Sequence, residues 1–145
     1  MRGLVQRVSR AEVRVGDRTV GSIGPGMVVL VGVREGDTAA EADWLAGKLS
    51  RLRIFQDDEG RMNRSVLDVG GEVLVVSQFT LFADASRGNR PSFTAAATPD
   101  VAEPLVELVA DRLRALGLRT AMGEFGAHMA VDLVNDGPVT IMLES

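Results

Sequence analysis

The chain has 145 residues, of which 46% are hydrophobic, and carries a formal net charge of −4 with no cysteine. This length predicts one domain, residues 1–145, around one sizeable core. The lack of cysteine excludes disulfides, thiolate nucleophiles and cysteine metal sites. A single histidine, His128, excludes the usual zinc sites, which need two, so we expect neither a metal nor another cofactor.

The distribution of charge and hydropathy narrows the function classes further. A net negative charge argues against a strongly basic nucleic-acid binder, although Arg87 and Arg90 lie close together just after the most apolar stretch. No segment approaches the roughly 18 apolar residues of a membrane span, and the first seven residues lack the apolar core of a signal peptide. We therefore expect a cytoplasmic protein with no membrane partner.

The first third of the chain predicts three strands. Residues 4–15 alternate loosely, break at Gly16-Asp17-Arg18 and can return over residues 19–23, which is the pattern of a β-hairpin. Residues 27–33 follow a Gly-Pro-Gly turn and are nearly all apolar. They predict a strand that is buried on both faces.

A helix is predicted from Thr38 to about Leu52. Thr38 is followed three residues later by Glu41, which is the spacing of a capping box. Trp44 lies at the edge of the apolar stripe and is predicted to belong to the core. The stripe itself consists of Ala42, Leu45, Leu49 and Leu52. Residues 51–55 then predict a strand, and residues 56–65 a polar loop that lacks the spacing of a calcium site.

The most apolar stretch, residues 72–83, predicts a central strand that ends in polar residues. Alternation along a strand would place Gln78 and Thr80 on one face and Ser77 and Phe79 on the other. Two hydrogen-bonding groups about 6.6 Å apart at the end of a buried strand each need a partner. That partner is either another protein group or a ligand, and spacing alone does not decide between them.

The second half predicts a surface loop, a helix and further strands. Residues 84–97 read as a loop, and Thr98-Pro99-Asp100 as the start of a helix that Gly117 closes. Because of Pro104, either the regular helix begins near Glu103 or its first turn is irregular. The predicted apolar stripe of this helix consists of Leu105, Leu108, Val109, Leu113 and Leu116.

The end of the chain predicts a closing hairpin. Residues 118–122 form a short predicted strand, and residues 127–134 alternate, which makes His128 a strand residue and not a catalyst. A turn at Asn135-Asp136-Gly137-Pro138 leads into the apolar residues 139–143. Together the elements predict an α+β fold with two main helices and a largely antiparallel, curled and barrel-like sheet.

Five segments carry a family resemblance that no single motif would support. They are Ser77-Gln78-Phe79-Thr80-Leu81, Arg87-Gly88-Asn89-Arg90-Pro91-Ser92-Phe93, Asn135-Asp136-Gly137-Pro138-Val139-Thr140, Val5-Gln6-Arg7-Val8-Ser9 and Phe125-Gly126-Ala127-His128-Met129. Together they resemble the D-aminoacyl-tRNA deacylase, or D-tyrosyl-tRNA deacylase, family. The resemblance covers essentially the whole chain.

The resemblance implies a homodimeric hydrolase that cleaves the ester between a D-amino acid, or mischarged glycine, and the 3′-terminal adenosine of tRNA. It implies that the Ser-Gln-Phe-Thr segment lines the pocket of one subunit, while a cis Gly-Pro pair enters from the other. The residues concerned are Ser77, Gln78, Phe79, Thr80, Gly137 and Pro138. Met129 corresponds to a further pocket residue and Arg7 to the residue that steadies the Gly-Pro turn.

The resemblance also implies how the reaction proceeds and which alternatives compete. An aminoacyl ester is already activated, so positioning, backbone N–H groups near Phe79 and the ribose 2′-hydroxyl of the substrate can suffice. Thr80 is the alternative nucleophile, although the motif holds no adjacent base. Two other functions stay open: binding of RNA 3′-ends without turnover, and editing of L-alanyl-tRNA by a related deacylase type with a trans Gly-Pro bond.

Overall fold

The sheet is organised around its first strand, which pairs with three others, and the computed structural model describes all 145 residues. Elements follow in the order β1 Arg2–Val15, β2 Arg18–Ile23, β3 Gly26–Gly32, α1 Ala39–Arg51, β4 Phe55–Gln56, β5 Met62–Arg64, β6 Glu72–Ser77, a 3₁₀ helix Phe79–Phe82, α2 Pro99–Ala115, β7 Thr120–Met122 and β8 Ala130–Glu144. No helix has both the length and the apolar character needed to cross a membrane.

The main sheet is mixed. Strand β1 pairs antiparallel with β2, β3 and β8, whereas β3–β6 and β6–β7 are parallel pairs, giving the order β2-β1-β3-β6-β7 with β8 as a further partner of β1. The parallel pairs arise because α1 lies in the connection from β3 to β6 and α2 in the connection from β6 to β7, and helical crossovers return the chain in the same direction. The predicted α+β class with two helices is confirmed.

The sheet curls until it is nearly closed into a barrel. Strand β2, at one end of the strand order, contacts β7 at the other end, although the two are not hydrogen-bonded as neighbours. A Cβ atom on Gly21 would collide with the backbone carbonyl of Met122, so the absence of a side chain permits this approach. The barrel-like curl expected from the sequence is thus confirmed.

Both faces of the sheet are buried, each against a different layer. Along β6, Val73 and Val75 belong to the core that α1 and α2 cover, while Leu74 and Val76 belong to the smaller core inside the curl. This division follows from the alternation of side chains along a strand. It confirms the prediction that the apolar stretch before Ser77 is buried on both faces.

Helix α1 confirms its predicted cap but not the predicted place of its tryptophan. The Thr38 hydroxyl accepts a hydrogen bond from Ala40 N at 3.3 Å, and the Glu41 carboxylate accepts one from Thr38 N at 2.6 Å. Ala42, Leu45 and Leu49 are buried, but Trp44 is 37% exposed, so its assignment to the core is wrong. Trp44 precedes the buried Leu45 by one residue, which corresponds to a rotation of about 100° around the helix axis. Its side chain is therefore turned away from the sheet.

Helix α2 begins at Pro99, so a start near Glu103 is wrong. Pro104 lies within the first two turns, where its missing N–H removes only one hydrogen bond near the helix start. The buried positions are Ala102, Val106, Val109, Ala110 and Leu113, whereas Leu116 is 48% exposed at the end of the helix. The predicted stripe was therefore correct at its centre and wrong at Leu116.

Three predicted strands differ from those observed. Residues 51–54 are not a strand, because α1 extends to Arg51, and only Phe55–Gln56 pairs, with β5. The central strand ends at Ser77 and not at Ala83. The predicted closing hairpin is also wrong, because residues 130–144 form one strand whose two halves both pair with β1.

Candidate active site

A cleft of about 570 Å³ opens where β6 ends, and it is the candidate active site. Its wall on the strand side is Val76 to Phe79. The other walls come from the loop after the 3₁₀ helix, the first turn of α2, the segment before β8 and the start of β8. These residues are Phe93, Ala96, Ala97, Thr98, Pro99, Ala102, Phe125, Gly126, Ala127, His128, Met129 and Val131, and Val33 completes the lining. No lining residue is Asp, Glu, Lys or Arg, and the single titratable one is His128.

The polar end of β6 is built by a change of backbone direction. Gln78 leaves the strand conformation with φ −145° and ψ 79°, and residues 79–82 then form the 3₁₀ helix. Alternation of faces therefore fails beyond Ser77. Ser77, Gln78 and Phe79 line the cleft, whereas Thr80 is exposed outside it and accepts a hydrogen bond from Gln78 Nε2.

Two aromatic rings stand at the mouth of the cleft. The centroids of Phe79 and Phe93 are 5.0 Å apart with an interplanar angle of 68°, an edge-to-face contact. The two residues are nevertheless 53% and 37% exposed. Phe93 is brought there by a pair of backbone hydrogen bonds between Asp84 and Ser92, both 2.8 Å, which close the intervening loop.

The segment before β8 adds Met129 and His128 to the wall. Strand β8 begins only at Ala130, so the prediction that His128 is a strand residue is wrong, and the residue lines the cleft. Met129 packs closely against Gly123, where a Cβ atom would come within 2.8 Å of its sulfur. The absence of a side chain at Gly123 therefore lets Met129 line the cleft.

Gly137 and Pro138 lie elsewhere, in a bulge of β8. Asn135 pairs with Val8 and Thr140 with Gln6, so residues 136–139 loop out opposite a single residue of β1. The Gly137–Pro138 peptide bond is cis, and both residues are exposed. Gly137 is six positions beyond Val131 of the cleft along β8, a span of roughly 20 Å. Neither residue lines the cleft of its own chain.

The bulge is held by Arg7 and Asn135. Arg7 is only 7% exposed, and it donates from Nε to Asp136 O at 2.9 Å and from Nη1 to Ile54 O at 2.5 Å. The Asn135 side-chain oxygen accepts a hydrogen bond from Val139 N at 2.9 Å, across the bulge. The backbone of residues 136–139 is therefore tied down at both ends.

The surroundings of the cleft are electrostatically uneven. A smaller cleft of about 250 Å³ adjoins it through Ser77 and Phe125 and is lined by three carboxylates, Glu103, Glu107 and Glu124. At the base of the loop that leads to Phe93, the hydroxyl and backbone N–H of Ser86 hold the pKa of Asp84 below its usual value. No group of three His, Cys, Asp or Glu residues is placed to hold a metal ion.

Some lining residues had no sequence pattern of their own. Ala96, Ala97 and the first turn of α2 reach the cleft because Ala97 N donates to Val33 O at 2.9 Å and Glu35 N to Ala95 O at 3.1 Å. Small residues before a helix look like an ordinary linker. Only these long-range contacts turn them into a wall.

Comparison with known proteins identifies the family. A family model described as D-Tyr-tRNA(Tyr) deacylase matches residues 4–144. The chain is 61% identical over 145 residues to a D-aminoacyl-tRNA deacylase of Roseiflexus sp. (strain RS-1), covering 100% of this chain and 94% of the relative. It is 58% identical over 144 residues to a D-aminoacyl-tRNA deacylase of Deinococcus radiodurans, covering 99% of each.

Solved structures support the same conclusion about the fold. One described as a c-Myc DNA unwinding element binding protein superposes with a TM-score of 0.93 at 42% identity, covering 100% of this chain and 99% of the other. A probable eukaryotic D-amino acid tRNA deacylase superposes at 0.82 with 19% identity, covering 98% and 97%, which shows the fold alone. The chain belongs to the D-Tyr-tRNA(Tyr) deacylase family of hydrolases.

Proposed function

We propose that this protein hydrolyses the ester between a D-amino acid and the 3′-terminal adenosine of tRNA, releasing the free amino acid and tRNA. The supporting observation is the cleft at the end of β6, whose wall is the Ser77-Gln78-Phe79 segment and whose lining holds no carboxylate, lysine or arginine. Residues 1–145 act in this proposal as one domain in the cytoplasm, where charged tRNA is used.

The chemistry of the cleft suits an activated ester. With no carboxylate inside, His128 is the single side chain of the lining that could act as a general base. We assign the activation of water or of the carbonyl to the ribose 2′-hydroxyl of the substrate instead, as the family resemblance implies. The backbone N–H groups of Phe79 and Thr80 start the 3₁₀ helix, where no preceding turn supplies their acceptors. They are available to stabilise the carbonyl oxygen as it becomes an oxyanion.

The second half of the site is assigned to a second copy of the chain. Gly137 and Pro138 are exposed and lie roughly 20 Å along β8 from the cleft of their own chain. The same strand exposes the apolar side chains of Val131, Val134 and Met142. We therefore propose a homodimer in which the bulge of one subunit closes the cleft of the other.

Chiral selection is assigned to this bulge. A site that accepts glycine and many D-residues must act by leaving no room for the L side chain, and backbone held in place is well suited to that task. Arg7 and Asn135 tie the bulge down, and Gly137 has no Cβ that would block close approach. Met129, in the cleft wall, limits the space on the opposite side.

A panel of charged tRNAs tests the proposal directly. Wild-type protein is incubated with D-tyrosyl-, glycyl-, L-tyrosyl- and L-alanyl-tRNA, and release of the amino acid is measured. We expect hydrolysis of the first two and sparing of the L-tyrosyl ester. Binding of all four without turnover would leave a non-catalytic RNA-end binder, and hydrolysis of L-alanyl-tRNA alone would move the chain to the related editing function.

A further inference from the structure

We infer that the loop between Asp84 and Phe93 is a phosphate-binding surface for the single-stranded 3′-end of the substrate RNA, with Arg87 and Arg90 as its contact residues. This inference rests on the proposed function, because it names the part of the enzyme that holds the RNA while the cleft holds the aminoacyl group.

The first observation is that the loop concentrates unpaired positive charge in an acidic protein. Both arginines are exposed and form no ion pair or side-chain hydrogen bond. Most other arginines are engaged: Arg2, Arg10, Arg14, Arg18, Arg112, Arg114 and Arg119 each lie within 3.3 Å of a carboxylate oxygen. An arginine with no partner in the protein is free to contact a phosphate through two N–H groups.

The second observation is the absence of competing acid within the loop. Asp84 is the single acidic residue between positions 84 and 97, and its carboxylate accepts a hydrogen bond from Ser86 N at 2.9 Å. It therefore caps its own turn and pairs with neither arginine. Although the chain carries −4 overall, the field above this loop is set by two uncompensated guanidinium groups.

The third observation is position. The loop is closed at its base by the Asp84–Ser92 backbone pair, and the next residue, Phe93, lines the cleft and contacts Phe79. Arg90 is three residues from Phe93, so its Cα lies at most about 10 Å away. With the aminoacyl group in the cleft, the phosphates nearest the ester are therefore within reach of Arg87 and Arg90 when the RNA runs along this loop.

The part of the cleft that adjoins the smaller cleft at Ser77 and Phe125 repels a phosphate backbone. There the smaller cleft presents Glu103, Glu107 and Glu124, of which only Glu124 has an arginine partner, Arg18 at 3.1 Å. A polyanion that enters the main cleft is thus repelled on one flank and attracted on the other. The exposed rings of Phe79 and Phe93 stand at the mouth of the cleft, where a terminal base can stack on them.

The test compares an RNA substrate with one that has no phosphate. We expect Arg87→Gln/Arg90→Gln to lower the ratio of kcat/KM for D-tyrosyl-tRNA to kcat/KM for D-tyrosyl-adenosine about tenfold near 0.1 M salt. The matched control is Lys48→Gln/Arg51→Gln, which removes the same charge from α1, a helix with no residue in the cleft. The control should leave the ratio unchanged.

Binding of uncharged tRNA, followed by fluorescence anisotropy over a range of salt, tests the surface without any hydrolysis. Each phosphate that a single strand places on an arginine adds about 0.7 to the slope of log Kd against log salt, so the double variant should lower that slope by about 1.4. An unchanged slope, or an equal loss on both substrates, overturns the inference. If neither substrate is hydrolysed but the slope falls, the proposed reaction is wrong and the RNA-binding surface stands.

Discussion

Thr80 shows how the side chain of a residue inside a family segment can lie outside the cleft that the segment builds. Its hydroxyl accepts a hydrogen bond from the Gln78 side chain, and the residue is exposed beside the cleft instead of lining it. The Gln78 amide is thereby oriented. A hydroxyl with no adjacent base and no place in the cleft wall is poorly suited to attack an ester.

We therefore expect Thr80→Ala to keep the single-turnover rate on D-tyrosyl-tRNA within about tenfold of wild type, with Thr80→Ser closer still. A nucleophilic hydroxyl would instead make the alanine variant slower by several orders of magnitude at unchanged binding. Rapid-quench measurements at saturating enzyme distinguish these results. The larger loss would indicate that the Thr80 hydroxyl is the nucleophile.

Arg7 is a buried positioning residue, and its loss should cost stability as well as activity. Arg7→Met leaves the carbonyls of Asp136 and Ile54 without their donor, which predicts a fall of about 2–4 kcal/mol in the free energy of unfolding. Urea denaturation measures it. Arg10→Met is the matched control, because Arg10 is an exposed residue of the same strand and its pair with Asp132 contributes at most about 1 kcal/mol.

At the scale of single elements, the bulge of β8 depends on a glycine. Gly137 has φ +142°, and a Cβ there would lie 2.8 Å from Val139 Cγ2 and 2.9 Å from Val139 N. We expect Gly137→Ala to displace the bulge and to lower kcat/KM on D-tyrosyl-tRNA at least tenfold. Gly24→Ala, at a turn glycine with open space around it and no positive φ, is the control and should change neither activity nor melting. Equal activity of both variants would contradict the role given to the bulge.

The cap of α1 gives a prediction about pH. Hydrogen bonds from the Thr38 hydroxyl and backbone N–H lower the pKa of Glu41 below its ordinary 4.5. Because the pKa of Glu41 is lower in the folded than in the unfolded state, its ionised carboxylate stabilises the fold. This stabilisation is fully present above the unfolded pKa and is lost as the pH falls through the folded pKa. Thr38→Ala should lower the melting temperature by roughly 2–5 °C at pH 7. The difference from wild type should shrink below pH 4, and a constant difference would contradict the linkage.

At the scale of the whole molecule, the proposed shared site makes activity depend on two copies of the chain. Light scattering at micromolar concentration should report twice the 15.4 kDa chain mass. A fully active monomer would rule the shared site out.

Complementation is the sharper test of the same proposal. Gly137→Ala alters the bulge, and Gln78→Ala alters the cleft wall. In a mixed dimer, one site combines the unaltered cleft wall of the Gly137→Ala subunit with the unaltered bulge of the Gln78→Ala subunit. That site carries neither substitution. Refolding the two variants together should therefore restore activity that neither shows alone. The absence of any recovery, with mixed dimers demonstrated by mass, would place both halves of the site in one chain.

The sequence by itself determined the local structure and the family. The hairpin of β1 and β2, the capped α1, the buried β3 and β6 and the turn at Gly117 all follow from side-chain period, cap spacing and glycine, which act over a few residues. The combination of five segments pointed to the deacylases, which the match over residues 4–144 bears out.

Only the tertiary structure decided which of these residues meet. The period of apolar side chains did not show that β6 stops at Ser77, because the change to a 3₁₀ helix at Gln78 depends on packing against β3. It did not show that residues 130–144 are one strand, because pairing of both halves with β1 replaces the hairpin expected from the Gly-Pro turn. The wall formed by α2 and the separation of Gly137 from the cleft likewise depend on contacts between residues far apart in sequence, which no local pattern encodes.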